Sequence, residues 1–149
     1  MSICQRKAAA TRHPQKALKI SAKARYALRI LKDIADHQED GQSTTESAIA
    51  KRQGLSEKYL SRIVLPLRDA KIVSVRHGSR DGFTLLKKPE KITLLDIIET
   101  VQGPVEILDC LDAGVDCGRK RNCFARRIWA RANAGIRRCL AAITLADAL

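Results

Sequence analysis

The sequence predicts a mainly α-helical protein that contains one small β-hairpin. Apolar residues recur at three- and four-residue spacing over most of the chain, and one short stretch alternates around a turn instead. A third pattern, near the C-terminus, predicts a single long helix. With 149 residues, 45% of them hydrophobic, the chain is long enough for one domain core and an appendage.

The charge is strongly basic and unevenly distributed. The net charge is +12, and segments 1–19, 20–50, 51–91, 92–116 and 117–149 carry +5, −1, +7, −6 and +7. A basic segment beside an acidic one creates a directed field, and nucleic acid is the commonest polyanion in a cell. Because aromatic residues are only 3% of the chain, duplex binding is favoured over the stacking of single-stranded bases.

No stretch of the sequence resembles a membrane span or a secretion signal. The uncharged run 139–146 is too short to cross a bilayer, and the basic N-terminus has only Ala8, Ala9 and Ala10 as an apolar block. We therefore expect a cytoplasmic protein with no membrane partner, in which residues 1–18 form a disordered basic arm.

The first three predicted helices are marked by their ends. Helix one begins at Ser21, and either Ser43 or Thr45 caps a second, short helix that runs to about Gln53. Gly54 breaks that helix, and Ser56 starts the third.

The spacing around this break is typical of a helix-turn-helix. Ala50 lies where the two helices cross, Gly54 lies at the turn, and Leu60 packs the second helix on the first. An ordinary helical hairpin shares this spacing and stays as an alternative. Pro66 is expected to kink or end the third helix.

A hairpin follows this motif directly. Residues 72–76 and 83–86 alternate around the turn 77–82, so the segment 19–91 is predicted to be a winged helix-turn-helix domain. The candidate DNA contacts lie on its third helix and on its hairpin, or wing. They are Ser56, Lys58, Tyr59, Ser61 and Arg62 on the helix, and Arg76, His77 and Arg80 on the wing.

The remaining segment, 92–149, is predicted to hold two helices. The first starts at Thr93 with a capping box to Asp96 and ends at Gly103. The second has some twenty residues and an apolar stripe spaced by four residues and, at its end, by three: Phe124, Ile128, Ala132, Ile136, Leu140 and Ile143. Little of the chain is left to cover this stripe, so we expect a homodimer that presents two third helices to a palindromic operator.

Three of the five cysteines, Cys110, Cys117 and Cys123, lie in the loop before the long helix with C-x6-C-x5-C spacing. The paired C-x2-C hooks of zinc sites are absent, whereas three thiolates on a flexible loop suit an iron–sulfur cluster with an incomplete ligand set. Three reduced cysteines without any ligand are the alternative. Cys139 is expected in the core or in a dimer interface. No phosphate-binding loop, dinucleotide fingerprint or nucleophile elbow is present, so an enzyme is not expected.

From residue 18 to the C-terminus the sequence resembles the Rrf2 family of bacterial winged-helix regulators. The residues that carry the resemblance are the runs 19–21, 25–28, 49–56, 59–60, 66–70, 74–76, 92–99, 109–111 and 143–147. The resemblance implies a dimer joined by the long C-terminal helix. In the cluster-binding branch of the family, cysteines at the positions of Cys110, Cys117 and Cys123 hold a [2Fe-2S] or [4Fe-4S] cluster. A branch without these cysteines responds to partners or small molecules.

The chain departs from the family at four places. Arg126 stands where one group of members has a fourth-ligand histidine, and Arg25 stands where another has an acid. Water, a small thiol, or Cys4 or His13 of the arm could then complete a cluster. Lys71 replaces the glycine that usually ends the third helix, and the wing has one additional residue near 77–78.

The sequence therefore predicts a dimeric, DNA-binding transcription regulator that senses iron, redox state or nitric oxide through an iron–sulfur cluster. The alternative is a cluster-free winged-helix regulator controlled by a partner protein or a thiol switch.

Overall fold

The computed structural model describes residues 19–39, 44–76, 81–112, 114 and 122–149, so the predicted basic arm lies outside the described residues. The helices are α1 (Ala22–Glu39), α2 (Glu46–Gln53), α3 (Glu57–Asp69), α4 (Leu94–Gln102) and α5 (Phe124–Ala142). The strands are β1 (Val73–Arg76) and β2 (Gly82–Leu85), and short 3-10 turns occupy Pro89–Lys91, Asp109–Leu111 and Leu145–Ala148.

Helices α1, α2, α3 and α4 enclose one apolar core. α1 packs against α2, α3, α4 and β2, and its buried face includes Ile30, Leu31 and Ile34. β1 and β2 pair antiparallel, with Val73 opposite Leu85 and Arg76 opposite Gly82. This is the predicted winged helix-turn-helix, with the β1–β2 hairpin as the wing.

Side-chain caps set the starts of three helices. Thr45 caps α2, since its side chain accepts a hydrogen bond from the Ala48 amide, while Ser43, the other predicted cap, lies outside the described residues. Ser56 caps α3 by accepting from the Tyr59 amide. Thr93 and Asp96 form the predicted capping box at α4.

The prediction that Pro66 kinks or ends α3 is wrong in its second half. The helix continues through Pro66 to Asp69, although the proline ring removes one amide donor from the helix, and a kink at Pro66 stays a prediction. Lys71 then adopts a left-handed conformation with φ 54°, and the amide of Ile72 donates to the carbonyl of Leu67 at 2.9 Å. The helix therefore keeps its usual C-terminal turn with a lysine in place of a glycine.

The C-terminal segment returns to the start of α4. The Leu94 amide donates to the Ile143 carbonyl and the Leu145 amide donates to the Ile92 carbonyl, each at 2.8 Å. Leu145 is fully buried, so this segment closes the core below α4.

The two halves of α5 have different surroundings. Ile136 and Leu140 pack on a small apolar cluster built on Ala24, Ile98 and Val105. Towards the start of the helix, Phe124, Ile128 and Trp129 are 69%, 60% and 48% exposed. Cys139 is exposed as well, so of its two predicted places the core is excluded in the single chain, and the dimer interface stays a prediction. Among the described helices, none is long and apolar enough to cross a membrane.

Candidate functional site

The outer face of α3 carries the predicted helix contacts. Lys58, Ser61 and Arg62 are exposed, and Ser56 is exposed at the N-cap. The opposite face of α3 is buried, because Leu60, Ile63, Val64 and Leu67 pack in the core. The helix is therefore fixed on one side and presents hydroxyl and cationic side chains on the other, as a helix that lies in a major groove must.

Tyr59 lies at the edge of this face and is half-buried. Its ring meets Tyr26 of α1 edge to face, with the ring centroids 5.9 Å apart and an interplanar angle of 89°. The Arg29 guanidinium lies over the Tyr26 ring at 5.4 Å and donates to Gln53 Oε1 at 3.0 Å. Tyr59 thus joins α3 to α1, and a DNA contact by this residue stays a prediction.

An acidic residue on this surface was missed by the sequence reasoning. The Ser61 hydroxyl lies within hydrogen-bond distance of the Glu46 carboxylate, at the start of α2, and of the Glu57 carbonyl at 3.0 Å, and its single proton is shared between these two acceptors. Glu46 follows Thr45, the N-cap of α2, and its carboxylate holds Ser61 on the outer face of α3.

A buried carboxylate fixes α2 on α1. Asp33 is 5% exposed and accepts hydrogen bonds from Arg52 Nε at 3.0 Å and from Gln53 Nε2 at 2.7 Å. Burial raises the pKa of Asp33, but the hydrogen bonds from Arg52 and Gln53 and the charges of Arg52 and His37 outweigh it, so the pKa lies below its ordinary value. The ionised Asp33 thereby sets the position of the turn that precedes α3.

The wing is anchored to α1 and to the segment before α2. Gln38 Oε1 accepts from the Leu85 amide at 2.9 Å, and the Phe83 amide donates to the Thr44 carbonyl at 2.9 Å. Gly82 has φ 143°, and a Cβ there would lie 2.5 Å from the Thr44 carbonyl carbon. Arg76 is exposed at the end of β1, whereas His77 and Arg80 lie outside the described residues.

Of the three predicted cluster ligands, Cys123 lies at the start of α5 and Cys110 lies in the 3-10 turn Asp109–Leu111. Cys123 is the N-cap of α5, where its Sγ accepts from the Arg126 amide at 3.4 Å. Arg126 Nε donates to the Cys110 carbonyl at 3.0 Å, so one arginine binds both cysteine-bearing segments. Both cysteines are half-buried and neither is in a disulfide; Cys117 lies outside the described residues.

The donor chemistry at this place fits an iron–sulfur cluster in part. N–H groups that donate to a ligating sulfur tune the reduction potential of an iron–sulfur cluster. An arginine cannot act as a metal ligand, so Arg126 supplies no fourth ligand. Within the part of the chain that the structure describes, no three metal-ligating side chains come together, and Cys117 would have to supply the third.

Asn133 and the Glu99–Arg137 pair hold the loop between α4 and Cys110 on α5, and we call these contacts the latch. Asn133 is buried; its Oδ1 accepts from the Ile107 amide at 3.0 Å, and its Nδ2 donates to Glu106 Oε2 at 2.7 Å. Glu99 of α4 accepts from the Val105 amide and pairs with Arg137 of α5. The Glu99 hydrogen bond raises the pKa of Arg137, so this guanidinium stays ionised. Sequence reasoning missed this latch, because an asparagine inside a helix carries no signal of its own.

Comparison with known proteins agrees with this architecture. The sequence model of the Rrf2 family, described as an iron-dependent transcriptional regulator, matches residues 20–149. The protein rrf2 of Nitratidesulfovibrio vulgaris is 35% identical over 133 residues, which span 87% of this chain and 86% of that protein.

Two solved structures are similar in sequence and fold. CymR, the global cysteine regulator of B. subtilis, aligns with a TM-score of 0.67 and 34% identity over 87% of this chain and 95% of CymR. T. potens IscR aligns with a TM-score of 0.66 and 31% identity over 87% of this chain and 85% of IscR. The chain belongs to the Rrf2 family of DNA-binding transcription regulators, which are not enzymes.

Proposed function

We propose that this chain is a dimeric regulator whose operator affinity depends on an iron–sulfur cluster held by Cys110, Cys117 and Cys123. The observation that carries the proposal is the bridge made by Arg126, whose amide and side chain bind Cys123 and Cys110. It holds these two cysteine-bearing segments together at the start of α5, a helix that also offers an open apolar face.

A bound iron–sulfur cluster would supply a redox-active group that oxidants and nitric oxide can disrupt. Residues of this chain would transmit a change at the cluster to the DNA-binding helices. Asn133 and Glu99 latch residues 105–107 to α5, and α4 packs against α1 and α3. A change in the loop 108–122 would therefore act on both α4 and α5, and so alter the placement of two α3 helices in successive major grooves.

Purification under anaerobic conditions tests the cluster. We expect wild-type protein to contain iron and sulfide and to show the broad visible absorbance of a thiolate-ligated cluster, and Cys123→Ala to lose both. Cys139→Ala is the matched control, because this cysteine is exposed on α5, four turns beyond Cys123. Equal iron in wild type and Cys123→Ala would contradict the assigned ligands.

The same proposal places Ser56, Lys58, Tyr59, Ser61 and Arg62 of α3, with Arg76, His77 and Arg80 of the wing, on DNA. Its probe is a duplex of about 30 base pairs that this protein selects from a randomised pool, long enough for two half-sites one helical turn apart. Arg62→Ala should weaken binding to this selected duplex about tenfold or more without changing iron content. Lys88→Ala, at the far end of the wing from its tip, is the control. Unchanged binding by Arg62→Ala would remove Arg62 from the interface.

The open face of α5 supports the dimer. Phe124, Ile128 and Trp129 would be covered by the same helix of a second chain around a two-fold axis. Ile128→Asp should give a monomer in sedimentation equilibrium, whereas Ala141→Asp, on the other side of α5, should stay dimeric. A wild type that sediments as a single chain would contradict this assembly.

A cluster-free regulator controlled by a thiol switch or a partner protein is the second candidate. It is favoured by Arg126, which supplies no fourth ligand, and by the 34% identity to CymR. In that case anaerobic protein is colourless, iron leaves operator binding unchanged, and the DNA-binding role stands.

A further inference from the structure

A cleft lies between the start of α2, the outer face of α3 and strand β2. It is lined by Glu46 of α2, by Ser61, Arg62 and Arg68 of α3, and by Phe83 of β2. Phe83 is buried, whereas Ser61, Arg62 and Arg68 are exposed and Glu46 is half-buried. The cleft therefore places a carboxylate beside the Ser61 hydroxyl and the Arg62 side chain, which are two of the predicted DNA contacts.

Glu46 and Ser61 together offer hydrogen-bond acceptors to a molecule that approaches this cleft. An ionised carboxylate accepts hydrogen bonds and cannot donate them. The single proton of the Ser61 hydroxyl is shared between the Glu46 carboxylate and the Glu57 carbonyl, so the lone pairs of Ser61 Oγ are what it offers outwards. This pair is therefore suited to a ligand group that donates.

No cation neutralises Glu46 within the part of the chain that the structure describes. It takes part in none of the salt bridges there, although Arg62 and Arg68 line the same cleft. A carboxylate beside DNA is repelled by phosphates and by base acceptors, so it weakens binding to any sequence that gives it no donor. Such a charge discriminates between sequences rather than adding affinity to all of them.

Two groups in the major groove donate hydrogen bonds, the N4 amino group of cytosine and the N6 amino group of adenine. Adenine also places its N7 acceptor beside N6, and this lone pair repels a carboxylate or a hydroxyl oxygen. Cytosine has no acceptor on this edge. An acceptor pair therefore matches cytosine best, and an arginine beside it matches the O6 and N7 acceptors of the paired guanine.

We propose that Glu46, together with Ser61, selects a cytosine at one position of the bound DNA by accepting from its N4 amino group. The proposal rests on the placement of α3 in the major groove given above, and it adds a specificity-determining residue from α2. Ser61 is exposed on the outer face of α3, and the Glu46 carboxylate lies within hydrogen-bond distance of it. Because successive bases are about 3.4 Å apart, the carboxylate lies within about one base pair of the base that Ser61 meets.

Holding Ser61 in place is the competing role for Glu46. Glu46→Gln separates the two roles, because a glutamine has the same shape and its amide oxygen still accepts from the Ser61 hydroxyl. The amide also brings a donor to the cleft, and glutamine pairs with the N6 and N7 atoms of adenine. The substitution therefore alters base selection only if Glu46 meets the base itself.

Selection from a randomised duplex pool, read by sequencing, tests the proposal. Wild-type protein should enrich a cytosine at one position, and Glu46→Gln should lose this preference there alone, with adenine as the expected replacement. Glu90→Gln is the control, since it removes the same charge from an exposed residue in the turn after the wing and should keep the wild-type selection. Thermal unfolding followed by circular dichroism checks that both variants fold.

Fluorescence anisotropy on two defined duplexes gives the magnitude. Replacing the selected C·G pair by T·A puts the O4 acceptor of thymine where the cytosine donor was. Wild-type protein should bind the T·A duplex about tenfold more weakly than the C·G duplex, and Glu46→Gln should bind the two within about threefold of each other.

The outcomes separate base selection from DNA binding itself. A cytosine preference that Glu46→Gln leaves intact, or a wild type without any cytosine preference, would overturn the proposal. Tighter binding of Glu46→Gln to both duplexes by the same factor would also overturn it, because Glu46 would then act only as a general repulsive charge. Failure of wild-type protein to select any duplex would overturn the DNA-binding role on which the proposal rests.

Discussion

The buried ion pair between α1 and α2 gives the sharpest test of what fixes the helix-turn-helix. The Asp33 side chain is 3% exposed and that of Arg52 is 30% exposed. Removing one partner of a fully buried pair costs 3 to 5 kcal/mol, and a surface pair contributes about 0 to 1 kcal/mol. Because Arg52 keeps access to water, we expect Asp33→Asn to lower the free energy of unfolding by about 2 kcal/mol.

Urea and thermal unfolding followed by circular dichroism measure this change, and the melting temperature should fall by about 4 to 8 °C. Asp36→Asn is the matched control on the same helix. Asp36 pairs with Lys32 at 2.7 Å, but both side chains are about two-fifths exposed, so the expected loss is below about 0.5 kcal/mol. Equal losses of unfolding free energy in Asp33→Asn and Asp36→Asn would show that the buried pair stabilises the protein no more than the exposed pair does.

The difference in unfolding free energy between wild type and Asp33→Asn depends on pH in a definite direction. Because the pKa of Asp33 is lowered in the folded state, its stabilisation is complete above the unfolded pKa of about 4 and is lost as the pH falls through the folded value. The difference between wild type and Asp33→Asn should therefore shrink as the pH falls below about 4. A difference that stays the same or grows as the pH falls from about 5 to 3 would contradict this assignment.

Three further substitutions test the wing, the end of α3 and the latch on α5. Gly82→Ala places a Cβ 2.5 Å from the backbone of Thr44, so it should destabilise the protein by at least about 2 kcal/mol in urea unfolding and weaken operator binding. Lys71→Gly should instead stabilise the protein by about 1 kcal/mol, because Lys71 has φ 54°; a loss of stability would show that its side chain makes a compensating contact. Asn133→Ala should lower the free energy of unfolding by about 2 to 3 kcal/mol and speed hydrogen exchange at the Ile107 amide. An unchanged exchange rate would show that Asn133 does not hold this segment on α5.

The helices were predictable because their ends carry local signals. Ser56 and Thr93 are good caps wherever the chain goes, and Gly54 adopts the left-handed conformation that ends α2. The capping choice between Ser43 and Thr45 was open, because both residue types accept the same hydrogen bond.

The contacts between elements were not predictable from spacing. Gln38 reaches the wing across 47 residues, Asp33 reaches Arg52 across 19, and Gln102 reaches Lys19 across 83. Polar side chains that join two distant elements have no periodicity in the sequence that distinguishes them from polar side chains exposed to solvent. The stripe on α5 was predicted as one face, yet α4 covers Ile136 and Leu140 and leaves Phe124 and Ile128 open.

Operator binding by one anaerobic preparation, before and after its iron is removed by chelation, tests the sensor most directly. The proposal predicts that affinity for the selected duplex changes at least about tenfold, a coupling of about 1.4 kcal/mol, and that Cys110→Ala binds like the iron-free wild type in both conditions. Equal affinity of iron-loaded and iron-free wild type, with Cys110→Ala indistinguishable from both, would contradict it and leave a cluster-independent regulator.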